Sequence, residues 1–70
     1  MKTEIEKLRE QLNTLTKERN KAQLKKGLAA ELNKDLRENA DYDYWLQREQ
    51  SLTVRIRRIT GEIERLYKKR

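Results

Sequence analysis

Seventy residues suffice for one small domain, and 34% hydrophobic against 43% charged content supports a narrow apolar seam rather than a ligand-sized cavity. The absence of cysteine and histidine excludes disulfides, thiol nucleophiles, the usual zinc ligands and the commonest general base. The net charge of +6 is unevenly spread: Glu31, Asp35, Glu38, Asp41 and Asp43 against Lys34 and Arg37 give −3 over residues 31–43, which leaves +9 for the rest.

The opening stretch, Met1-Lys2-Thr3-Glu4-Ile5-Glu6, lacks the apolar core of a signal peptide. No apolar run approaches the roughly 20 residues that span a bilayer. A soluble cytoplasmic protein with no membrane partner is expected. There is no proline, glycine occurs only at 27 and 61, and the β-branched residues do not alternate, so helix is favoured throughout.

In the first segment Ile5, Leu8, Leu12 and Leu15 follow the 3-4 spacing of a coiled-coil seam, which Arg19, Ala22, Lys26 and Ala29 continue. Arg19 and Lys26 contribute aliphatic stems while their charges reach for water. A second stripe, Leu24, Leu28, Leu32 and Leu36, runs at steps of four, which predicts that the seam rotates around this helix or that the helix bends near Gly27. The second segment is more regular: Trp45, Glu49, Leu52, Ile56, Ile59, Ile63 and Leu66 share one register, with Gly61 outside it. Folding the segments back on each other is expected to pair Leu12 with Leu66, Leu15 with Ile63, Arg19 with Ile59 and Ala22 with Ile56.

Between the segments lies Asp35-Leu36-Arg37-Glu38-Asn39-Ala40-Asp41-Tyr42. Asp35 and Glu38 have the spacing of a capping box, in which the first side chain accepts from the backbone and the second reaches back. Asp41 and Asp43 then become first-turn acids favoured by the helix dipole. A second reading gives the exposed carboxylates a share in a divalent metal site, since Mg²⁺ commonly takes one or two protein carboxylates and completes its shell elsewhere. The two readings are compatible, because a cap can present its unused oxygen. Arg48, Arg55, Arg57, Arg58 and Arg65 on the second segment read either as solvated helix faces with i, i+4 partners or as phosphate contacts.

The run DLRENADY at 35–42 resembles the tip of the Gre family of bacterial transcript-cleavage factors, and Glu6-Lys7-Leu8-Arg9-Glu10 and Arg55-Ile56 resemble points on the two helices of their coiled coil. The likeness covers about residues 6–63 without a gap. It implies an antiparallel coiled coil that enters the secondary channel of bacterial RNA polymerase and promotes cleavage of backtracked transcripts. Asp35 and Glu38 match the acids that stabilise Mg²⁺ within the polymerase active centre, so no cofactor is expected for the chain alone. Arg37, Asn39, Asp41 and Tyr42 match tip positions that shape the turn or touch the polymerase, and transcript RNA is a further expected contact. Arg37 and Asp41 keep the charge of the family's lysine and glutamate. Lys34 stands where the family commonly has glycine, and Tyr44, Trp45 and Leu46 are bulkier than the residues usual there. No counterpart of the family's C-terminal domain is expected in these residues.

The reading is therefore an all-α protein, an antiparallel two-helix coiled-coil hairpin. Its first helix is placed at about 3–33, its acidic tip at about 34–39 and its second helix at about 40–69. It would stimulate hydrolysis by the polymerase rather than be an enzyme itself. Competing expectations are a channel-binding inhibitor or modulator, a self-associating structural coil, and a basic helical module for nucleic acid.

Overall fold

The computed structural model describes residues 2–32 and 40–68. Every element among them is helical: α1 spans Glu4–Leu32 and α2 spans Ala40–Lys68. The start of α1 is set by Thr3, whose Oγ1 accepts from the backbone N–H of Glu6 at 3.2 Å, while its carbonyl accepts from the N–H of Lys7. Thr-x-x-Glu is the sequence form of a capping box. Acids occupy the first turn of each helix, and Arg65 and Lys68 the last turn of α2, as the helix dipole favours.

The two helices run antiparallel along each other in a rod 52 Å long and 19 by 12 Å across. Early residues of α1 meet late residues of α2, as Arg9 meets Tyr67, and late residues of α1 meet early ones of α2, as Lys26 meets Glu49. The all-α hairpin expected from the heptads is thus the observed fold.

The seam on α1 keeps one register from end to end. Leu8 and Ala22 are buried, and Ile5, Leu12, Leu15, Arg19, Lys26 and Ala29 are half-buried. On α2, Leu52 is buried at 1% exposure, with Trp45, Glu49, Ile56, Ile59, Ile63 and Leu66 half-buried along the same row.

The expected rotation of the seam onto the leucine stripe does not occur. Leu24, Leu28 and Leu32 are 64%, 44% and 87% exposed, and α1 continues unbroken through Gly27. The reason lies at Ala22 and Lys26. A methyl group at 22 lets the helices close until Ala22 is fully buried, and the Lys26 ammonium finds a carboxylate across the seam. The first register therefore gives Lys26 its partner and leaves the leucines outside the seam.

Opposing Leu12 to Leu66 would put Lys26 across from Leu52. From there the Lys26 ammonium reaches Glu49, nearly one turn away, and Leu15 and Ile59 line one groove between the helices. Burying a cation against leucine alone would leave its charge uncompensated, and Glu49 supplies the carboxylate.

Candidate functional site

Leu32 ends α1 and Ala40 begins α2 at the same end of the rod, so residues 33–39 join the helices there. Asp35, Arg37, Glu38 and Asn39, with Lys34 and Leu36, lie outside the described residues. Of the other expected partner contacts, Asp41 is exposed in the first turn of α2 and Tyr42 is half-buried. Asp43 is exposed beside them.

The aromatic cluster that follows divides in two. Trp45 lies half-buried in the seam register, whereas Tyr44 is 57% exposed. Their rings meet edge to face, with centroids 4.9 Å apart and planes at 81°, a geometry that aligns the positive ring edge with the negative face. Trp45 thus anchors the tip end of the seam while Tyr44 turns outward.

Below this cluster sits a polar layer that the sequence signalled only as charged residues at seam positions. The Lys26 ammonium donates to Glu49 Oε1 at 3.0 Å, with side chains 25% and 16% exposed. Glu49 Oε2 and Arg19 Nε are buried without a hydrogen-bond partner. Opposite charges at two seam positions were the available signal for this pair. Their contact could not be read without the alignment, because 23 residues separate them.

Arg48 approaches Glu18 of α1 at 3.8 Å, both about half exposed, a surface pair worth little on its own. Arg55 and Arg58 line an open groove between the helices. At the end opposite the tip, Arg9 donates to the Tyr67 hydroxyl and lies 5.7 Å from its ring centroid, and Lys2 pairs with Glu10. The Arg9–Tyr67 contact links the helix ends farthest from residues 33–39.

Among the described residues no group of three or more carboxylates could hold a metal ion. Nor is any described helix long and apolar enough to cross a membrane.

A family model described as "Transcription elongation factor, N-terminal" matches residues 2–67, nearly the whole chain. The chain therefore belongs to the Gre family of transcription elongation factors, as a form of its N-terminal coiled-coil domain. A search of curated proteins and one of solved structures found no match. Membership carries a general relationship to transcription elongation and to RNA polymerase, in a domain that is not itself catalytic.

Proposed function

We propose that this protein inserts its hairpin into the secondary channel of bacterial RNA polymerase and there promotes hydrolysis of backtracked transcripts. The observation that carries this reading is the family match across residues 2–67. The rod supports it physically. At 52 by 19 by 12 Å the hairpin is narrow enough to enter a channel, and it joins its helices at one end, where the sequence places Asp35 and Glu38.

In this reading Asp35 and Glu38 supply carboxylate oxygens to Mg²⁺ held mainly by the polymerase. Two carboxylates suit a shared oxygen-ligand site and are too few for an all-protein cage. The ion, once bound, supplies water activation and charge stabilisation for phosphoryl transfer. The chain's own work is delivery. α1 and α2 carry the acids through the channel, and the Lys26–Glu49 pair ties together the two arms that present them. Arg37, Asn39, Asp41 and Tyr42 contact the polymerase around the acids, with transcript RNA within reach of the basic shaft. The place of action is the cytoplasm, where transcription runs.

Purified protein added to backtracked bacterial elongation complexes with Mg²⁺ tests this directly. The expected result is stimulated transcript cleavage that Asp35→Ala or Glu38→Ala lowers by about ten- to hundredfold, the usual loss when a group supporting a metal is removed. Both variants should still compete with the unmodified protein for polymerase. Binding that blocks elongation without cleavage would make the protein an inhibitor, and absence of polymerase binding would end the proposal.

A further inference from the structure

An open groove of about 750 Å³ runs between the helices on one flank of the rod. Its apolar floor is Leu15 and Ile59, and its walls include Lys7, Gln11 and Thr14 on α1 and Arg55, Arg58 and Glu62 on α2. Steps of four and three carry the α1 wall onward through Glu18, Lys21 and Lys25 to Leu28 and Leu32. The same steps carry the α2 wall back through Ser51 and Arg48 to Tyr44. The Glu18–Arg48 pair, which is separate from the groove lining, ties both rows to the same side of the rod. The exposed side chains of Leu28, Leu32 and Tyr44 therefore belong to the flank that carries the groove, at its tip end.

We infer that this flank docks an amphipathic helix rich in carboxylates, contributed by another protein. A two-helix coil presents its open flank to a third helix as a row of heptad-spaced holes. From Leu15 to Leu32 the row is about 25 Å long at the helical rise, room for a helix of five turns. Charge selects the occupant. Lys7, Lys21, Lys25, Arg48, Arg55 and Arg58 face Glu10, Glu18 and Glu62 across or beside the groove, six cations against three anions, which leaves +3. A second copy would bring the same surplus against itself. Nucleic acid would answer the cations but leave the leucines without an apolar partner. An acidic amphipathic helix satisfies both, and the surface is separate from the tip acids, so it stands or falls apart from transcript cleavage.

The full chain would be screened against a displayed library of roughly 20-residue helices with apolar heptad positions and Glu, Gln or Lys randomised elsewhere. Enriched helices should be net negative and should release as salt rises. Leu28→Ser/Leu32→Ser and Arg55→Glu/Arg58→Glu should each weaken their binding by about tenfold or more, as loss of an interface anchor does. These positions are exposed, and circular dichroism checks that the fold persists. No enrichment, enrichment of neutral or basic helices, or indifference to the substitutions would overturn the inference. So would a concentration-dependent dimer abolished by the leucine substitutions, which would assign the flank to a second copy. Binding of a short RNA oligonucleotide that the same leucine substitutions abolish would also overturn it, in favour of nucleic acid.

Discussion

The end of the rod that holds the chain termini and the end near residues 33–39 are built from the same heptad register with different materials. Toward the termini, Ile5, Leu8, Leu12 and Leu15 run beside Ile56, Ile59, Ile63 and Leu66, and Arg9 clasps Tyr67. Toward the tip, α1 offers Arg19, Ala22, Lys26 and Ala29, and α2 offers Trp45, Glu49 and Leu52. The first half gains its stability from apolar area. The second depends on close approach at Ala22, one buried leucine and a half-buried ion pair. An apolar seam tolerates many alignments, whereas a lysine that needs a carboxylate tolerates few, so stability and alignment are lodged in different halves.

The most severe break of this arrangement is Leu52→Ala. Leu52 is the largest fully buried side chain, at 1% exposure. Removing it deletes transfer energy and leaves a cavity, which costs about 2–5 kcal/mol for a buried leucine. Since a core of this size supplies roughly 3–5 kcal/mol in all, the variant should lose most of its stability at 25 °C. Urea titration followed by circular dichroism reads this. Ile59→Ala, at a half-buried position in the apolar half, should cost less.

Glu49→Leu comes next and separates alignment from stability. The substitution leaves Lys26 without its partner in the seam and should cost about 1–3 kcal/mol, the penalty for stranding a half-buried polar group. Adding Lys26→Leu should recover that loss and exceed the unmodified protein, because apolar replacements of a buried pair are often more stable. The double variant should also lose its single alignment, since the leucine introduced at position 26 can pack opposite position 49 or one turn away against Leu52. A second set of amide resonances in NMR spectra would report the slip. One set of unchanged resonances would show that Ala22 and Leu52 fix the alignment without the ion pair.

The same contrast explains what was legible in the sequence. Both helices and the complete seam of each could be read from steps of three and four, because burial on a two-helix coil follows that periodicity directly. The leucine stripe at 24, 28 and 32 misled, since hydrophobicity alone outweighs Arg19, Ala22 and Lys26 until the partner across the seam is known. The pairing of the two rows is less legible for a related reason: matched apolar rows fit about equally well a turn apart, and the Lys26–Glu49 contact is a constraint that spacing alone does not supply. Thr3 and Glu6 carry a readable capping pattern at the start of α1. At the site itself, the exposed Asp41 and half-buried Tyr42 have their places in α2, while Asp35 and Glu38 rest on the sequence motif and the family.

The smallest expected effects test whether the halves are energetically distinct. Gly27 lies in the polar half and Gly61 in the apolar half, and a methyl group added at either meets nothing within 4 Å. Neither glycine has a positive φ, so neither is required by backbone geometry. Each therefore weakens its helix without compensation, and Gly→Ala should stabilise by about 0.5–1 kcal/mol at each site. If the rod unfolds as one unit, the two substitutions should raise the urea midpoint equally and slow hydrogen exchange along both halves. If the polar half opens first, Gly27→Ala should slow exchange selectively between Arg19 and Leu32 and between Ala40 and Leu52. Gly61→Ala would then leave those amides unchanged. Sub-global opening of this kind belongs where buried apolar contacts are fewest, and the sparse seam between Arg19 and Ala29 makes that the expected outcome.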